Sequence, residues 1–124
     1  MSFLAAGPET YAGKVFSTGH CVPYVRQLTG APHTSEWRKG QPVLGNDIPV
    51  GTAIATFGPG PDGRYENRVD GSSHAAILIE DLGTALRVWD CWVGRPVGER
   101  TIRDKHGAGL AVDDASAYYV IEVV

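Results

Sequence analysis

The sequence predicts an α+β fold in which one short N-terminal helix, carrying a cysteine, packs on a small antiparallel sheet. Three observations carry that expectation. The stretch Cys21 to Thr29 has the three-to-four apolar spacing of a helix with one buried stripe. The downstream runs GTAIATF, HAAILIE, ALRVWDCW and AYYVIEVV have the β-branched and aromatic content of strands. Two of these runs are separated only by Asp81-Leu82-Gly83-Thr84, the length and composition of a hairpin connection.

Residues 1–20, with Gly7-Pro8, Gly13 and Gly19 between Tyr11, Val15 and Phe16, read as an irregular lead-in packed on the core. The helix follows. Cys21, Val25 and Leu28 form its stripe with Val22 and Tyr24 beside it, Pro23 falls in the first turn, and Gly30-Ala31-Pro32 stops it. The segment from His33 to Pro49 is rich in turn formers and reads as a loop anchored by Trp37. Strands are then expected at Gly51–Phe57, His74–Glu80, Ala85–Trp92 and Ala117–Val124, with a further short one near Val97–Ile102. Between the first two of these, GPGPDGRYENRVDGSS is too long for a tight turn and has the character of a loop that borders a site.

A chain of 124 residues is the length of one domain, so residues 1–124 are expected to form one, with a core that needs neither disulfides nor metal. Apolar residues at 43% exclude intrinsic disorder, and a formal net charge of -3 argues against nucleic-acid and anionic-membrane partners. No run is long enough to span a bilayer, and the first residues lack the basic and apolar regions of a signal peptide, so synthesis in the cytoplasm without a cleavable export signal is expected. The two cysteines, Cys21 and Cys91, are expected to be free thiols.

Cys21 is the residue with the most chemistry. A thiol at a helix start meets unpaired N–H groups and the positive end of the helix dipole, both of which favour thiolate. His74, directly after Gly71-Ser72-Ser73, opens a strand and stands as its candidate base. Period-two alternation places His74, Ala76 and Leu78 on one face of that strand, where small Ala76 leaves room for the helix. On the neighbouring strand Val88, Asp90 and Trp92 share a face, which makes Asp90 the candidate that orients the ring. Cys91 then points away from the site as a buried apolar thiol; an oxidative bond to Cys21 requires a bulge or another register.

Each residue has a plainer reading: a lone helix cysteine or strand histidine is more often part of a core, and only the combination points to catalysis. His20 is expected to cap the helix or line the cleft, and His33 and His106 to face solvent. Trp37, Trp89 and Trp92 are expected in the core rather than as a ligand platform, with a place in the cleft wall as the alternative for Trp92 on the Asp90 face. Paired CxxC or HxxxH spacing is missing, so no metal or other cofactor is implied. For the oxyanion, the backbone N–H of Cys21 is one candidate donor, with Tyr11 or His20 as a second.

The segments GHCVPYVRQL, IPVGTAIATF, SSHAAILIE and VWDCW together resemble the papain-like amidases of the NlpC and CHAP type, and also the small amidase effectors delivered by type VI secretion. The resemblance covers most of residues 19–92. It implies a cysteine amidase that cleaves amide bonds in the stem peptides or cross-links of peptidoglycan through a thioester, with Cys21 as nucleophile, His74 as general base and Asp90 as orienting group. It further implies action in the periplasm of a target bacterium, and cationic groups at the cleft suited to anionic peptides, for which Arg64, Arg68, Arg95 and Arg100 are the candidates. An inhibitory immunity protein over the cleft is a further implication, and a pull-down from the producing cell that returns no tight binder counts against it. The alternatives are a thiol acyltransferase or deubiquitinase-like enzyme on the same fold, and an inactive binding module in which Cys21 is merely buried.

Overall fold

The computed structural model describes residues 2–16, 20–60, 62–68 and 71–123. Six strands form one sheet in the order β1-β6-β2-β3-β4-β5, every neighbouring pair antiparallel. They are β1 (Arg38–Pro42), β2 (Ala53–Thr56), β3 (Ala75–Asp81), β4 (Ala85–Trp92), β5 (Arg95–Arg103) and β6 (Tyr118–Glu122). The α-helix, α1 (Cys21–Thr29), lies against β3 and β4. This is the expected α+β arrangement.

Helix α1 begins after His20, in extended backbone, and ends at Gly30, whose left-handed φ of 77° lets its N–H return to the Arg26 carbonyl at 2.9 Å. Tyr24 and Val25 are fully buried beneath it, and side chains of that size contribute about 1.5–3 kcal/mol each when removed from water. The Tyr24 hydroxyl donates to the Pro8 carbonyl at 2.7 Å, which ties the lead-in to the helix. Phe16 packs edge-on against both Tyr11 and Tyr24, so the lead-in does cover part of the core. Gly19, of the segment that resembles the amidases, lies outside the described residues.

The two faces of the sheet carry separate apolar clusters. Ala53, Ala55, Ala75, Ile77, Cys91 and Ile121 pack with Tyr24 and Val25 on the helix side. Ile54, Ala76, Leu78, Val88, Ile102, Tyr118 and Val120 pack together on the other. Alternation along β3 is therefore as expected, but the helix covers the Ala75 and Ile77 face and not the face of Ala76. The larger Leu78 and Val88 fill the opposite face with Tyr118 and Ile102, while a row of alanines leaves room for the helix.

The segment 33–49 also departs from expectation, since it contains β1 and a single 3₁₀ turn at Thr34–Glu36. RKGQP has neither alternation nor β-branched residues, and its pairing with β6 at the sheet edge is a backbone interaction that such patterns do not report. Gly40 is required there, because a Cβ would stand 2.6 Å from the Val120 carbonyl oxygen. The β3–β4 turn is as expected: Asp81 accepts from the Gly83 N–H at 2.8 Å, and Gly83 has φ 86°. Strand β5 runs longer than the expected six residues because its register follows β4 from Ala85 to Trp92, with one irregularity between Asp90 and Trp92. Val124, at the end of the last expected strand, lies outside the described residues.

Candidate active site

A cleft of about 780 Å³ opens where α1 begins and β3 starts, and Cys21, His74, Tyr65, Trp92 and Arg100 are among its lining residues. The three candidates from the sequence meet there. His74 is buried, and its Nε2 lies 2.9 Å from Asp90 Oδ2. That contact turns Nδ1 away from Asp90, and the charge of the ring acts on the Cys21 thiol. The His74 backbone is held on both sides by Thr56, through its own N–H to Thr56 Oγ1 and its carbonyl to the Thr56 N–H, each at 3.0 Å.

Asp90 is fully buried and satisfied by charge. Arg95 donates to Oδ1 at 2.7 Å, and Arg100 Nε donates to Oδ2 at 2.8 Å. Both guanidinium groups also lie over the Trp92 ring, at 4.8 and 5.2 Å from its centroid. Trp92 in turn meets His74 edge-on with centroids 6.1 Å apart; it is exposed and walls the cleft, the alternative to a place in the core. Of the four arginines suggested for substrate, Arg68 and Arg100 line the cleft, while Arg64 and Arg95 do not. Arg95 serves Asp90, and Arg64 reaches the Ser35 carbonyl at 3.4 Å.

These contacts set the protonation states. Burial opposes ionisation of Cys21, yet the hydrogen bond and charge of His74, the Ala75 N–H and the Tyr65 hydroxyl outweigh it and hold the thiol below its ordinary range. Burial likewise disfavours charge on His74, but Asp90 and Cys21 reverse the effect and raise its pKa to about 9. Asp90 is held below the ordinary carboxylate range, with burial opposed by His74 and Arg100. A thiolate beside an imidazolium is the state these neighbours favour.

Cys91 requires a correction. It does not point away from the helix: its buried thiol lies under the start of α1 and donates to the His20 carbonyl at 3.6 Å. The alternation that separates it from Asp90 holds, but the helix lies on the Cys91 side and Cys21 meets His74 at the end of the sheet. Burial first, then the charges of Cys21 and Asp90, push the Cys91 pKa up to about 12. Both cysteines are free, and no group of three or more His, Cys, Asp or Glu among the described residues could hold a metal ion.

Domesticated amidase effector 2 is the family that matches, over residues 2–121. The chain belongs to that family. The curated protein named domesticated amidase effector 2 of Ixodes scapularis is 33% identical over 108 residues, which are 83% of this chain and 70% of that one. Among solved structures, type 6 secretion amidase effector 2 superposes with a TM-score of 0.81 at 29% identity, covering 98% of this chain and 94% of its own. The amidase expected from the sequence thus stands, with the α+β fold of a small secreted effector.

Tyr65 also lines the cleft, and no motif in the sequence announces it. This residue sits in the long loop between β2 and β3, is buried, and lines the cleft with Cys21, whose thiol it helps to hold below its ordinary range. The only signal for it was the loop itself, expected to border a site. Tyr11 instead packs on Phe16, and the exposed His20 lines the cleft without capping the helix through its side chain. His33 is exposed and also lines the cleft, while His106 is exposed beside Asp104.

Proposed function

We propose that this protein is a cysteine amidase that hydrolyses amide bonds in peptidoglycan stem peptides or cross-links, with Cys21 as nucleophile, His74 as acid and base, and Asp90 as the group that orients His74. The observation that carries this reading is that Cys21 lines one open cleft with His74, whose ring is hydrogen-bonded to the fully buried Asp90 and whose charge lowers the Cys21 thiol. Family membership supplies amide hydrolysis, and the effector relatives support delivery to the periplasm of a target bacterium. No helix among the described residues is long and apolar enough to cross a membrane. The same reading places an inhibitory partner over the cleft in the producing cell.

In this mechanism the thiolate attacks the amide carbon, an S–C bond forms, and the carbonyl π electrons move onto oxygen. The imidazolium gives its proton to the leaving nitrogen as the C–N bond breaks, which leaves a thioester. Neutral His74 then takes a proton from water, hydroxide displaces the sulfur, and the thiolate and imidazolium are restored. Asp90 keeps the ring in one orientation and stabilises its charge without taking the proton.

Purified peptidoglycan incubated with wild type, Cys21→Ala and His74→Ala tests this directly by mass analysis of the fragments. Wild type should release new peptide ends, with both variants slower by 10³-fold or more, on the order of what catalytic dyad members supply. Unchanged fragments from folded wild type, or full activity in Cys21→Ala, would falsify the reading.

A further inference from the structure

The proposed mechanism uses one of the two cysteines and leaves Cys91 without a role. The Cys91 thiol is fully buried, lies under the start of α1 and donates to the His20 carbonyl at 3.6 Å. Cys21 is the next residue after His20, and the planar peptide that joins them keeps the Cys21 Cα within about 6.5 Å of the Cys91 sulfur. Cys21 also packs against the apolar cluster that contains Cys91. The strand is irregular at this point, with the β4–β5 register shifting between Asp90 and Trp92, an irregularity of the kind that a bond between the two cysteines requires. His20 makes no side-chain cap, so the small shift of the helix start that closes the remaining gap breaks none.

We infer that Cys91 is a resolving thiol: when a peroxide oxidises Cys21 to the sulfenic acid, Cys91 closes an intramolecular disulfide on it and keeps the nucleophile in a recoverable form. This rests on Cys21 being the reactive thiolate of the proposed amidase. In the first step the Cys21 sulfur attacks one peroxide oxygen, the O–O bond breaks, and the other oxygen leaves as hydroxide, which takes the His74 proton to become water. In the second, the Cys91 sulfur attacks the Cys21 sulfur, an S–S bond forms, and the S–O bond breaks to release water with the proton of the Cys91 thiol. One peroxide is reduced to two waters and two thiols become one disulfide. The two environments suit this order. Cys21 lines the open cleft where an oxidant arrives, and Cys91 is closed off from solvent. Burial and, after it, the Cys21 thiolate keep Cys91 protonated, and conversion of that thiolate to a neutral sulfenic acid removes the second restraint. A nucleophile at an open cleft without a resolving thiol goes on to the irreversible sulfinic acid.

The test treats reduced protein with hydrogen peroxide and then with dithiothreitol, following mass and peptidoglycan hydrolysis. Wild type should lose about 2 Da, yield a Cys21–Cys91 linked fragment on non-reducing digestion, fall roughly tenfold or more in activity, and regain most of it with the dithiol. Cys91→Ala should instead gain about 32 Da at Cys21 and stay inactive after the dithiol. Recovery of Cys91→Ala to the wild-type level overturns the proposal. So does wild type that forms the sulfinic acid without the linked fragment, or that keeps both thiols free, and this readout needs no variant to fold. Failure of the amidase reading looks different, because the reduced wild-type protein then leaves peptidoglycan unchanged whatever its thiols do.

Discussion

The wall of the cleft formed by β3 and β4 holds its reactive groups by charge, whereas the wall formed by residues 33–68 holds Tyr65 by aromatic packing and bonds to carbonyls. On the first wall, His74, Arg95 and Arg100 converge on one fully buried carboxylate. On the second, Trp37 and Lys39 fix a loop with no ion pair to the sulfur or to Asp90 among the described contacts. The difference follows from what each wall does. An ionised group needs a compensating charge in a site removed from water, and a neutral side chain needs only a defined position.

The largest expected break in this comparison is Asp90→Asn. The variant keeps the shape but leaves Arg95 and Arg100 facing a neutral amide and allows the His74 ring to turn. Activity should fall roughly 10²- to 10⁴-fold, the range for losing an oriented acid–base group. Denaturant unfolding should show a loss of about 3 kcal/mol, because a buried charge network loses its centre. Activity within a few fold of wild type would mean that His74 is oriented without Asp90.

The pH response distinguishes the walls next. With His74 raised to about 9, kcat/KM should hold through neutral pH and fall above about pH 9, as the ring loses the proton needed by the leaving nitrogen. The stability side has the matching sign: a histidine raised from 6.5 to about 9 contributes fully below pH 6.5 and loses that contribution as pH rises through 9. Asp90 has the opposite sign, contributing above its ordinary 3.8 and losing the contribution as pH falls through its depressed value. Thermal melts across pH check both limbs, and Asp90→Asn should flatten them. A profile that declines already at pH 7 would contradict the charged pair.

Lys39→Met should have the smallest effect. It removes two hydrogen bonds to the 58–60 backbone at a partly exposed position, so stability should drop by about 1 kcal/mol and kcat by only a few fold. The alkaline limb set by His74 should not move. A shift of that limb would show that the two walls are coupled through the loop.

Much of the first wall was legible in the chain. HAAILIE and ALRVWDCW alternate, the turn between them has the right residues, and a hairpin of that kind brings His74 and Asp90 to one end whatever else the fold does. Cys21 at the head of a short amphipathic stretch was legible for the same reason, since helix periodicity and its stop signals are local. The second wall was not. RKGQP pairs through its backbone at an edge, and Tyr65 sits in an irregular loop without periodicity, so neither leaves a pattern to read.

The sequence by itself determined the helix and the central hairpin, and with them the order Cys21, His74, Asp90 of the proposed nucleophile, base and orienting group, because each element depends on neighbours a few residues away. Tertiary structure decided which face of the sheet the helix covers, and so it put Cys91 beneath α1 and brought Cys21 to His74 at the end of the sheet. It also decided that Tyr65 lines the cleft together with Cys21. Alternation distinguishes two faces without saying which is the inner one, and that choice belongs to the packing of both faces at once: alanines where the helix must approach, and Leu78, Val88 and Tyr118 where the opposite core must be filled.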